Sequence, residues 1–148
     1  MLAEPRVRVI SIAAISRLND GAILAMRCYD PARSLVFYRP LGGAVEFGES
    51  TAETVRRELL EEIDREVIVG RRLGVLENVF VYDGRPGHEI IFVWQADFAD
   101  ATAYLEETFT YQEDSGLSGD AIWVYPDKLA SQGIPLFPTG LTELLKRR

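Results

Sequence analysis

Residues 42–65 read GGAVEFGESTAETVRRELLEEIDR, and the reading of this stretch decides the fold. Ser50 followed three residues later by Glu53 is a capping box, and 51–63 contains neither Gly nor Pro, so a helix over residues 51–63 is expected. At about 100° per residue, Ala52, Val55, Leu59 and Ile63 share one face, while Glu58, Glu61 and Glu62 fall within roughly 100° of one another beside it. One side is built to pack, and the adjacent side is a cluster of carboxylates.

That cluster is unfavourable as it stands. Glu58 and Glu62 are like charges at i,i+4, which costs a helix roughly 0.2–0.5 kcal/mol, and Glu61 and Glu62 lie in the last turn, where the macrodipole disfavours anions. A bound cation reverses both effects. Carboxylate oxygens are hard donors that suit Mg²⁺ or Mn²⁺ better than zinc. Arg57, one turn before Glu61, is expected to hold that carboxylate in a bidentate pair and keep it ionised.

Glutamates on a helix are also what a solvated face looks like. The spacing narrows the choice: Gly43, five residues, Glu49, seven residues, then Arg57-Glu58-Leu59-Leu60-Glu61-Glu62. At average residue frequencies of about 5–7% per position, a chance match in a chain of this length is on the order of one in a million. The pattern resembles the Nudix box. That resemblance implies a divalent-metal hydrolase acting on the diphosphate linkage of a nucleoside diphosphate joined to another group. It implies that Glu58, Glu62 and the carbonyl of Gly43 are metal ligands. Glu61 is then a ligand or a water-activating carboxylate oriented by Arg57, and Glu49 braces the loop. Two positions depart from the family pattern: Asp64 stands where Gly is expected after the helix, and Arg65 where an apolar residue is expected. An altered exit from the helix follows, because Asp adopts the left-handed C-cap conformation at some cost.

The rest of the chain reads as a scaffold. Residues 7–16 and 22–27 are strand-like and flank Asn19-Asp20-Gly21, a hairpin signal because these residues tolerate positive φ. A strand over 35–39 delivers the chain to the Gly pair. Strands over 67–69 and 73–82, a turn at 83–87 and a strand over 88–96 give a second hairpin. His88 and Glu89 border that turn as structural or surface residues, with substrate contact as the alternative.

Residues 97–119 are acidic, aromatic and less periodic, and read as a long loop. The resemblance implies a further carboxylate from such a region, with Glu113 the candidate and Asp114 and Asp120 close behind; a solvated surface charge is the competing reading for each. A short strand at 121–125, a turn or helix from Pro126 and a helix from Thr139 or Gly140 to Lys146 complete the chain. The fold class expected is α/β of the α+β type, a single domain over 1–148 with a mixed β-sheet sandwiched between helices.

Composition agrees: 47% hydrophobic and 26% charged residues are ordinary for a globular domain of 148 residues. A net charge of −7 argues against general nucleic-acid binding. Cys28 is the sole cysteine, which excludes an internal disulfide and leans towards the cytoplasm. No signal peptide or membrane span is read, and a homodimer is compatible with the sequence.

The expected chemistry is metal-assisted attack of water on a P–O–P linkage. Arg27 and Arg39, on strands leading to the loop, are candidates for phosphate contacts, with plain surface arginines as the alternative. The expected ligand is a nucleotide: ADP-ribose, a nucleotide sugar or a dinucleoside polyphosphate. A nucleoside triphosphate pyrophosphatase and a non-catalytic nucleotide-binding domain are the alternatives. Phe37, Tyr38, Phe80, Tyr82 and Tyr111 offer rings to a base, against core packing.

Overall fold

ISIAAI in the first strand and ILAM in the second show no polar alternation, which marks strands buried on both faces and flanked on both edges. The computed structural model, which describes residues 5–112 and 118–147, places them accordingly. Strand β1 (Val7–Ile15) lies between β4 (Gly42–Ala44) and β6 (Arg85–Phe98), and β5 (Val67–Tyr82) completes a mixed sheet ordered β4-β1-β6-β5. Strand β2 (Ile23–Asp30) lies between β3 (Leu35–Arg39) and β8 (Ser118–Val124), and β7 (Thr108–Gln112) completes an antiparallel sheet ordered β3-β2-β8-β7.

The hairpin expected from β1 and β2 is therefore corrected. The turn at 19–21 forms, with Gly21 at φ +72° and Asp20 Oδ1 accepting from the Ala22 amide. It carries the chain from one sheet to the other, however, and a lone bridge between Ser16 and Ile23 is the pairing across it. A hairpin partner on one edge cannot satisfy two strands that each need neighbours on both sides.

The second hairpin forms as expected, but it is longer. Residues 67–82 make one strand with bulges at Arg72, and the turn shrinks to Asp83-Gly84, both at positive φ, which suits the twist of the flanking strands. The long loop expected at 97–119 is also corrected. It contains a 3₁₀ turn at Ala101–Leu105 and strand β7, whose sequence TFTYQ alternates exposed and buried residues.

Helix α1 (Thr51–Ile63) begins and ends where its capping signals put it. Ser50 accepts from the Glu53 amide, and the Glu53 side chain accepts from the Ser50 amide. Asp64 adopts the left-handed conformation, with its N–H donating to Leu60 O. Val55, Leu59 and Ile63 are buried against Ala13 and Ile15 of one sheet and Leu24, Met26, Phe109 and Trp123 of the other. On the opposite side, α2 (Pro126–Ser131) and α3 (Leu141–Lys146) bury Leu129, Leu141, Leu144 and Leu145 against Ile10, Ile12, Ile23, Ala25 and Val124. The α+β class and its sandwich between helices hold, with two sheets filling the middle layer. Among the described residues no helix is long and apolar enough to cross a membrane.

Candidate active site

Two hydrogen bonds seat the start of α1 on the mixed sheet: Ser11 Oγ donates to Thr51 O (2.7 Å), and Trp94 Nε1 donates to Thr51 Oγ1 (3.0 Å). From that anchor the helix lays its acidic side along β4. Gly43 lies so close to the Glu58 carboxylate that a Cβ at this position would collide with it. The loop backbone and the first carboxylate thus form one surface, which a larger residue at 43 would close.

Arg57 is the hub of the site. Its Nε donates to Glu49 Oε2 (2.7 Å) and its Nη2 to Glu49 Oε1 (3.0 Å), a bidentate pair. Nη1 reaches Glu58 Oε1 at 2.9 Å and Glu61 Oε2 at 3.2 Å, and Nη2 also donates to Ala44 O at 3.0 Å. The bidentate partner is therefore Glu49, where Glu61 was expected. The reason is reach: Glu49 faces the fork of the guanidinium from the loop, while Glu61, one turn on, meets a single nitrogen. Glu49 also accepts from Thr54 Oγ1 (2.7 Å) and from the Glu46 amide (3.3 Å). Arg57 holds the Glu49 carboxyl down to about 2, against the opposing effect of burial and with help from Thr54 and the Glu46 amide. The guanidinium is in turn pushed up, first by Glu49.

Glu58 moves the other way. Burial raises its pKa and the neighbouring charge of Glu61 adds to that, while hydrogen bonds with Glu62 and Arg57 oppose it. Glu62 is buried, 7% exposed, and lies one helical turn after Glu58 on the same side of α1. Two ionised carboxylates at that spacing, one of them buried, repel each other, and a proton or a cation beside them relieves the repulsion. Among the described residues three acidic, histidine or cysteine side chains do not gather around one point; Glu58 and Glu62 share one side of the helix, and Glu61 turns to Arg57. A hard divalent cation that takes one or two carboxylates and completes its shell with water and phosphate fits such a donor set.

Arg27 and Arg39 are separated. In the β2–β3 pairing Arg39 stands opposite Met26, and Arg27 stands opposite Tyr38. Met26 belongs to the core under α1 and Tyr38 to the core under α3, so the pleat puts the two arginines on opposite faces. Arg39 shares the face of α1, and Arg27 does not.

The same parity turns Asp120 away. It pairs with Thr110, whose hydroxyl donates to it at 3.5 Å, while their neighbours Phe109 and Ala121 face α1. Glu113 and Asp114 lie outside the described residues. His88 is held by Glu77 at 3.0 Å, and Glu89 is paired with Arg8 at 3.6 Å. Of the five rings considered for a base, Tyr111 is core and Tyr38 packs under α3.

Sequence reasoning missed Thr54, which donates to the Glu49 carboxylate, and Ala44 O, which accepts from Arg57. Thr54 had a signal, since it lies three residues before Arg57 and so on the same helix side. The Ala44 carbonyl had none.

A family model described as the Nudix domain matches residues 7–143. Solved structures agree on the fold. A Nudix hydrolase from Nitrosomonas europaea superposes with a TM-score of 0.64 at 17% identity, covering 95% of this chain and 87% of its own. A MutT protein from Methanosarcina mazei gives 0.64 at 20% identity, covering 99% and 95%. An ADP-ribose pyrophosphatase from Streptococcus suis gives 0.60 at 17%, covering 95% and 91%.

Proposed function

The chain belongs to the Nudix family of hydrolases, and from that premise we propose that it hydrolyses the diphosphate linkage of a nucleoside diphosphate joined to a second group, such as ADP-ribose, a nucleotide sugar or a dinucleoside polyphosphate. The observation that carries this reading is the Glu58 carboxylate pressed against the backbone of Gly43 and fixed there by Arg57, with the buried Glu62 one helical turn on.

Enzymes of the family generally use a divalent metal, and the hard oxygen donors of this site favour Mg²⁺ or Mn²⁺. Glu58, Glu62 and the carbonyl of Gly43 would hold it, and Glu61, turned to Arg57, would serve as the water-activating carboxylate in place of a further ligand; bound there the ion would lower the pKa of water and neutralise phosphate charge. The chain's own residues do the rest. Arg57 holds the Glu58 and Glu61 carboxylates in orientation, and Glu49, itself held by Thr54, keeps Arg57 from swinging away. Arg39 takes a phosphate oxygen from the α1 face. Water attacks one phosphorus, the P–O bond to the bridging oxygen breaks, and two phosphorylated products leave: two monophosphates where the linkage holds two phosphates, and products sharing the remaining phosphates where the chain is longer. The proton of the water passes to a carboxylate, Glu61 or Glu113. A cytoplasmic location belongs to the same proposal, in keeping with the single cysteine.

The test is product analysis with Mg²⁺ over nucleotide sugars, ADP-ribose, dinucleoside polyphosphates and nucleoside triphosphates, with Glu62→Gln as control. Two monophosphates from a linked diphosphate, lost in the control, are expected. Pyrophosphate from a triphosphate would replace this reading with a triphosphate pyrophosphatase. Nucleotide binding without turnover would replace it with a non-catalytic domain.

A further inference from the structure

The β5–β6 hairpin outgrows its own sheet. Pairing of β6 with β1 begins at His88, so Phe80 to Gly87 overhang the last rung of the mixed sheet. The overhang is stitched to the other sheet instead. Asp30, fully buried at the end of β2, accepts from the Asp83 amide (3.1 Å) and the Ala32 amide (3.0 Å) through Oδ1, and from Arg33 Nε (2.8 Å) through Oδ2.

The stitch fixes one ring. Tyr82 donates its hydroxyl to Tyr29 O at 3.0 Å and stands edge-on to Phe37 at 6.1 Å, and Phe37 leans on Phe137 at 5.3 Å. Phe37 is buried, yet Tyr82 stays 43% exposed. Phe37 faces the α1 side of the antiparallel sheet, because it stands opposite Cys28, which packs on that core. Arg39, two residues on, is on the same face, and Pro40, Leu41 and Gly42 then lead to Gly43. The Tyr82 hydroxyl is within electrostatic reach of Arg39 and Cys28. An aromatic ring with its orientation set, a cation and the carboxylate pair thus follow one another along one face.

We propose that Tyr82 is the contact for the planar base of the nucleotide substrate, and that Asp30 is the positioning residue that holds it there. The inference rests on the hydrolase reading above and names the group that seats the base of its substrates. A base stacks on any aromatic face without needing a hydrogen-bond code, so this wall accepts several bases and leaves selection to its rim. Holding the ring before the ligand arrives removes the ordering cost from binding.

The test separates the two readings by measuring base contact without turnover. In metal-free buffer, saturation transfer from the protein to the base protons of AMP is expected in the wild type and in Tyr82→Phe, and is lost in Tyr82→Leu. Ribose 5-phosphate, which has no base, serves as the probe that the substitution leaves unchanged. Asp30→Ala is expected to lose the same signal and Asp30→Asn to restore it, since Asn keeps the acceptor for both amides. With a substrate identified by product analysis, Tyr82→Leu raises KM roughly tenfold with kcat within about threefold. Absence of the AMP signal in the wild type, or its survival in a folded Tyr82→Leu with KM unchanged, overturns the inference while leaving the hydrolase reading intact. Should the AMP signal follow Tyr82 while every diphosphate in the panel stays unhydrolysed, the wall stands and the hydrolase reading falls.

Discussion

Arg57 concentrates more of the site's chemistry than any other side chain: it touches Glu49, Glu58, Glu61 and the Ala44 carbonyl at once. A lysine has one point charge where this position needs a fork, so Arg57→Lys is expected to lower kcat/KM about 10- to 100-fold while the far-UV spectrum stays unchanged. Unaltered steady-state kinetics would show that the fork is dispensable. Glu62→Gln keeps the size of the side chain and removes a like charge one helical turn from Glu58. It is expected to abolish most turnover, leave the thermal midpoint equal or higher, and weaken Mn²⁺ binding measured by electron paramagnetic resonance.

At the scale of the element, α1 was legible almost to the residue. Its capping box, its uninterrupted length and its apolar positions agree with one another, and the helix spans Thr51–Ile63. Ser50→Ala removes the bond to the Glu53 amide and is expected to cost about 1 kcal/mol in denaturant unfolding. Asp64 carries two local penalties, a left-handed conformation at φ +54° and a negative side chain at the helix C-terminus. Asp64→Gly removes both and is expected to stabilise by roughly 1 kcal/mol with kinetics unchanged. Strand β7 is legible in the period of TFTYQ, while the acidic residues around it carry the composition of a loop.

At the scale of the molecule, two carboxylates with depressed pKa values tie distant segments together. Glu49 joins the loop to α1, and Asp20 joins the β1–β2 turn to Tyr125 beyond β8. Arg57 holds Glu49, and Arg17 holds Asp20, each to about 2. A depressed folded pKa stabilises above the unfolded value and loses that contribution as pH falls through the folded value. The relevant windows run from 4.5 and 3.8 down to about 2. The thermal midpoint is therefore expected to fall as the pH is lowered through this range, and Glu49→Gln or Asp20→Asn to flatten part of the slope. Parallel wild-type and variant curves would show that these pairs contribute nothing.

What the sequence by itself determined is local: the helix and its caps, the spacing of Gly43, Glu49, Arg57 and the three glutamates, and the strands with clear periods. These depend on contacts within a turn or two, so the residues that specify them are neighbours in the chain. The tertiary structure decided which strands share a sheet, since β1 and β2 are adjacent in sequence but each needed two other neighbours. It also decided that Arg27 and Arg39 face opposite ways, because a strand's parity has meaning only once its partner and covering layer are known. The seating of Tyr82 on the opposite sheet by Asp30, 53 residues away from Asp83 in the chain, is of the same kind: a long-range bond between hairpin ends carries no local signature.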